Sequence, residues 1–271
     1  DITLDHSFID LDHGTVKKSN LNTEPESTVG ITTAEANFTW LKNSDSESSL
    51  SMGFNTLYTI MDFDRISPMT NGHLHTWGLS LAGSYTKNDT EIFYGVTPGI
   101  SVSSNALKNP ELINSDSLQL TTRLTYQKKR NENFTWVYGF ISDYRFGDYH
   151  LYPLAGICLK PAQGWLLQLV VPDFSIQKKF SNLFNLTFYI SPEGNKWHVF
   201  SKDLQRNSEL TYHAIVTGIT AHWSLTPTVE LNLDLVKQSS KEFNLVSDDN
   251  QLISADADSS MKLKLSGRFL F

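Results

Sequence analysis

The sequence predicts an all-β protein, an antiparallel up-and-down transmembrane β-barrel of about fourteen strands that takes in residues 1–271 as one domain. Three observations carry that expectation. Period-two alternation of apolar and polar residues recurs along the chain, while the i, i+3, i+4, i+7 spacing of an amphipathic helix is nearly absent. Several alternating stretches reach about ten residues, longer than a usual soluble strand and suited to a tilted membrane strand. Polar connections form a short set and a longer set, and the two alternate along most of the chain.

"ITLDHSFIDLD" reads as an ascending first strand, followed by a long connection at 14–30. The strand at 31–42 descends into the short turn "NSDSE" at 43–47, and a long connection follows at 62–73. In "TWGLSLAGSY", Trp77, Leu79, Leu81 and Tyr85 share one face. "KNDT" at 87–90 is short and 104–115 is long. In "SLQLTTRLTY", Leu118, Leu120, Leu124 and Tyr126 oppose Gln119, Thr121, Arg123 and Thr125, and "KKRNEN" at 128–133 turns the chain. "PAQG" at 161–164 leads into "LLQLVV", which a tight turn at Pro172 ends; "SN" at 181–182 is short. "SPEGN" at 191–195 reads as a bulge within one long strand, and 202–208 is a long connection. "TP" at 226–227 opens "TVELNLDLVK", with Val229, Leu231, Leu233 and Leu235 against Glu230, Asn232 and Asp234. After an acidic connection at 247–256 comes "MKLKLSGRFLF", with Met261, Leu263, Leu265, Gly267, Phe269 and Phe271 opposite Lys262, Lys264, Ser266 and Arg268. Both ends fall on the short-turn side, so the strand count is even: about fourteen here, with about twelve as the alternative.

Aromatic residues follow the same division. Trp40, Tyr85, Tyr126, Phe134, Trp136, Trp165, Trp223 and Phe271 lie near short turns or the C-terminus, as a girdle at one membrane interface would. Tyr58, Phe63, Trp77, Phe146, Tyr149 and Phe243 lie near the longer connections and predict the second belt.

The last strand, apolar at every second position down to Phe271, resembles the C-terminal assembly signal of Gram-negative outer-membrane β-barrel proteins, carried here by Leu263, Leu265, Phe269 and Phe271. The stretch "YPLAGICLKPAQGWLLQLVVPDFSIQKKF" resembles an uncharacterised family of bacterial outer-membrane barrels known as a domain of unknown function. The resemblance implies a porin-like protein of the bacterial outer membrane, in contact with the lipid bilayer and lipopolysaccharide. It further implies a cleaved signal peptide, periplasmic transit and insertion by the barrel-assembly machinery. It transfers no catalytic residue and no cofactor.

Composition narrows the functions. The mean hydropathy is -0.27 and every apolar run is far shorter than the roughly 20 residues of a membrane helix, which excludes helical spans. A net charge of -7 and a pI near 5.6 argue against nucleic acid as partner. The single Cys158 forms no internal disulfide and reads as a small packed side chain. Asp248, Asp249, Asp256 and Asp258 lack the glycine-punctuated spacing of a calcium loop, and His73 with His75 makes only two ligands, so no metal is expected.

Positions facing lipid must be apolar, so function resides in the lumen or the connections. The expected lumen residues are Gln119, Thr121 and Arg123, then Glu230, Asn232 and Asp234, then Lys262, Lys264 and Arg268. They mix neutral polar groups with charges of both signs, which predicts passive diffusion of small polar solutes. The alternative is an occluded barrel acting through its outer loops or an unidentified protein partner. A barrel-embedded hydrolase is third, and an enzyme is not expected. His6 and Ser7 fall on opposite faces, His73 and His75 have no serine on their face nearby, and the phospholipase-like pattern of His, one residue, Ser, then Asn-Gly is absent. The acid and histidine groupings Asp62, Asp64, His73, His75 and Asp10, Asp12, His13 are common in polar loops. With the last connection centred near Gln251 and Leu252, Asp234 is expected to meet Arg268 near the periplasmic end.

Overall fold

A computed structural model describes residues 3–8, 12–17, 27–45, 47–63, 72–201, 206–247 and 252–270. Alternating side chains put these segments into one sixteen-segment sheet. The segments are β1 (Thr3–Phe8), β2 (Asp12–Lys17), β3 (Ser27–Ser44), β4 (Ser48–Phe63), β5 (Gly72–Lys87), β6 (Thr90–Ser103), β7 (Leu118–Asn131) and β8 (Phe134–Asp143). They continue with β9 (His150–Leu159), β10 (Trp165–Val171), β11 (Asp173–Lys179), β12 (Phe184–Ser201), β13 (Arg206–Thr226), β14 (Val229–Ser247), β15 (Leu252–Ala257) and β16 (Ser260–Leu270). β15 and β16 both pair with β14 in one unbroken register, and β1 and β2 lie against them in turn. Each of these two couples is therefore a single interrupted strand, and the wall is a fourteen-stranded barrel. Pairing of β1 with both β16 and β3 closes it.

Neighbouring strands run antiparallel, with the short turns on one rim. Pro172 is the whole connection between β10 and β11. The segment 191–195 lies inside β12 as expected, but the ladder with β13 shows no register shift there, so it is not a bulge. What changes is the other edge: β12 loses its β11 partner after Ile190, next to Pro192, whose missing N–H suits an unpaired edge. Lys128 to Asn131 still belong to β7, which shortens the expected turn at 128–133. The connection placed at 247–256 is likewise shorter, because β15 begins at Leu252.

The wall is uneven in height. β13 has 21 residues and β14 has 19, whereas β10 and β11 have 7 each. Above the low side, β12 swings over to β6 and makes a parallel bridge between His198 and Val102. The short helix α1 (Ser104–Leu107) helps to hold this junction. Ser103 Oγ accepts from Ala106 N at 3.3 Å and from Phe200 N at 3.3 Å. β7 to β11 are thus bypassed, and the barrel continues above them as a narrower ring.

The outer surface is apolar in a way that water would not tolerate. Leu79, Leu118, Leu124, Phe140, Leu151, Ile219 and Leu263 are each at least half exposed, on strands all around the wall. An apolar band of this kind fits hydrocarbon. Among the described residues no helix is long and apolar enough to cross a membrane.

The belt expected near the longer connections fails at Phe243, which is 0% exposed and stacked on Tyr212 inside the barrel. A bulge explains the inversion. Between the pairs Ile215↔Ser239 and His213↔Glu242, β14 carries one extra residue, with Ser240 at φ 51. An extra residue flips the alternation. Asp234, Val236 and Gln238 face inward below the bulge, and Lys241, Phe243 and Leu245 face inward above it.

Candidate functional site

The nine residues that alternation assigned to the lumen fall in three groups in the structure. Gln119, Thr121 and Arg123 border the cavities on the low side of the barrel. Gln119 reaches across to β12, its Nε2 donating to Asn195 Oδ1 at 2.9 Å and to the Lys196 carbonyl at 2.7 Å. Asn195 Nδ2 continues to Thr76 Oγ1 at 3.0 Å, so one amide chain braces β5, β7 and β12. Glu230, Asn232 and Asp234 occupy alternate positions of β14, opposite Arg268, Ser266 and Lys264 of β16.

That register corrects the expected contact between Asp234 and Arg268. Asp234 stands opposite Lys264, and Arg268 lies 3.7 Å from Glu230. Both side chains face inward, but the register of β16 on β14 is displaced along the hairpin from the expected one, which shifts every pair. The lysines pair with acids of other strands, Lys262 with Glu193 at 3.6 Å and Lys264 with Glu35 at 3.9 Å. Glu35, Glu193 and Asn195 were not legible in the sequence, because alternation gives the facing of a strand and says nothing of what stands across the lumen.

Glu35, Glu193, Asp234, Lys262 and Lys264 border a chamber of about 250 Å³. Its ceiling is apolar. Ile31, Met61, Leu74, Trp197, Leu210, Tyr212, Ala214, Phe243 and Leu245 form one cluster in the narrow upper ring, none more than 5% exposed. A wet interior was expected throughout, yet this end is as dry as a soluble core. Ionic groups below and dry packing above divide a single lumen.

Beside the chamber, the connection between β8 and β9 is pinned by Arg145. Its Nε donates to Asp143 Oδ2 at 2.7 Å, its Nη1 to Asp173 Oδ1 at 2.8 Å, and its Nη2 to the Tyr152 hydroxyl at 2.6 Å. Burial opposes the charge, but Asp173 and Asp143 outweigh it and raise the guanidinium pKa further. A β-carbon on Gly194 would sit 2.6 Å from the Arg145 carbonyl, so glycine is what lets this connection lie against β12.

The other expected residues can be placed as well. Trp40, Tyr85, Tyr126, Trp136 and Trp165 are exposed, and Trp223 packs on Phe184 close to the short-turn rim. Leu263 and Leu265 are exposed on β16 and Phe269 is partly buried there, whereas Phe271 lies outside the described residues. Cys158 is free and borders a lumen cavity. No group of three or more metal-ligating side chains occurs among the described residues. His75 Nε2 has Ser104 Oγ at 2.8 Å, a serine that α1 brings in from outside the strand.

A family profile described as Domain of unknown function (DUF6268) matches residues 25–264. The chain belongs to the DUF6268 family. A comparison with curated proteins finds no match. Among solved structures, the DUF6268 chain is similar to the COG4313 outer membrane channel from Pseudomonas putida F1, with a TM-score of 0.56 at 8% identity, covering 99% of this chain and 95% of that one. It also aligns with the P. putida toluene transporter TodX, with a TM-score of 0.49 at 9% identity over 100% of this chain and 90% of that one. The translocator domain of autotransporter NalP from Neisseria meningitidis aligns with a TM-score of 0.41 at 10% identity, over 100% and 88%. At such identities the likeness to the COG4313 channel establishes the shared outer-membrane barrel fold.

Proposed function

We propose that this DUF6268 barrel is an outer-membrane channel for small solutes that is held shut at its long-connection end in the conformation described. The observation that carries the reading is the division of the lumen, with an ionic chamber closed by a dry cluster around Trp197 and Phe243. A polar lining supports small polar solutes as cargo. Free passive diffusion would need an open path, so passage here requires the apolar cluster to part. The apolar exterior supports placement in the bacterial outer membrane, and the P. putida protein that shares the fold is an outer membrane channel, which supports the channel class.

Single-channel recording in planar bilayers tests the proposal. The native barrel is expected to insert silently or with brief openings, and the double variant Trp197→Ala, Phe243→Ala to show stepwise conductance, because removing the two rings opens the seal. Large stable openings of the native protein would remove the seal. Silence of both would favour the second reading, an occluded barrel serving a protein partner, which the same dry cluster supports.

A further inference from the structure

Near the short-turn rim, four inward side chains are joined in one directed hydrogen-bond chain. His222 of β13, Asn232 of β14 and Ser266 of β16 are successive cross-strand partners and form one interior row. His222 Nδ1 lies 2.6 Å from Asn232 Oδ1, and Asn232 Nδ2 donates to Ser266 Oγ at 3.2 Å. An amide oxygen only accepts, so Nδ1 carries the imidazole proton and Nε2 presents its lone pair. Ser224 Oγ, two residues along the same face, lies 3.3 Å from that nitrogen. A hydroxyl beside an imidazole whose tautomer is fixed by a third polar group is the arrangement that nucleophilic acyl transfer requires.

We propose that Ser224, His222 and Asn232 form a lumen-facing hydrolytic site for carboxylic esters of small solutes that enter from the short-turn end. Ser224 is the nucleophile, His222 the general base, and Asn232 a positioning residue. Ser224 Oγ bonds the ester carbonyl carbon while its proton passes to His222 Nε2. The carbon–oxygen bond to the alcohol then breaks, and the alcohol leaves with that proton. Water adds to the acyl carbon, giving a proton to His222, and the acid departs as Ser224 recovers it. Glu230 stands opposite Ser224, and Arg268, on the strand beyond, pairs with that carboxylate at 3.7 Å and offsets its negative charge beside the site. Because the site faces inward, acyl chains of the surrounding bilayer are out of reach, so the substrate is a soluble ester. The alternating pattern hid the site, since Asn232 comes from the next strand and Leu225 and Thr226 follow the serine.

The test uses the folded barrel in detergent, checked by heat-modifiable migration, with a fluorophosphonate probe and p-nitrophenyl butyrate as the ester. Neither readout depends on whether the barrel conducts. The probe is expected to attach to Ser224 on peptide mapping, Ser224→Ala to abolish labelling and turnover, and His222→Ala to slow labelling at least about a hundredfold. Asn232→Ala should lower the rate, and Asn232→Asp should restore it while moving the rise of the pH profile upward, because a carboxylate favours the imidazolium. A merely bracing amide would leave that profile unmoved. A native barrel that is folded yet unlabelled, or labelled at another serine, overturns the proposal even if a variant fails to fold.

Discussion

Asp45 shows how one residue sets a short turn. Its carboxylate accepts from Ser48 N at 2.6 Å, from Glu47 N at 2.8 Å and from Ser48 Oγ at 3.0 Å. The backbone N–H of Ser48, then that of Glu47, then the Ser48 hydroxyl hold its pKa below the ordinary value of 3.8. A depressed native pKa stabilises the fold above the ordinary value, and the contribution is lost as pH falls through the native one. Asp45→Ala should therefore lower the melting temperature slightly near neutral pH, with the difference from the native protein shrinking below about pH 4. A constant difference across that range would refute the assignment. Gly194 is a second decisive position. Gly194→Val is expected to displace the connection that carries Arg145, and limited proteolysis of that segment should report it.

At the scale of elements, Arg145 joins the rim of β8 and β9 to the turn between β10 and β11, where the wall is lowest and the ladder with β12 has ended. Arg145→Met leaves the Asp143 carboxylate, whose side chain is 9% exposed, without its cation. The expected cost is about 2 kcal/mol, below the roughly 3–5 kcal/mol of a fully buried pair because the guanidinium is partly exposed. Unfolding in denaturant, followed by loss of heat-modifiable migration, measures it. The last strand gives a different kind of prediction. Apolar residues of β16 face outward and its lysines inward, as alternation implies. If Phe271 completes an assembly signal, its deletion should reduce the amount of barrel in outer membranes while leaving the melting of the assembled fraction nearly unchanged. Wild-type amounts of the truncated protein would sink the idea.

For the whole molecule, the rim of short turns is expected to face the periplasm. Cysteine labelling of intact cells in a Cys158→Ser background should then modify a cysteine at Asp249 and spare one at Asn131; the opposite pattern would invert the barrel. The strand content, the turn at Pro172 and the facing of Gln119, Asp234 and Lys264 were legible in the sequence, because a bilayer outside and water inside impose a period of two on every strand. Alternation is local, however, and it failed where a single residue reset it. Phe243 reads as a belt residue until the bulge at Ser240 turns it inward. The pairing of Lys262 with Glu193, the bridge from His198 to Val102 and the row of His222, Asn232 and Ser266 all depend on register and on which strands meet across the lumen. Side-chain period determines the face of a strand, but register is set by turn length and closure, which only the assembled barrel decides.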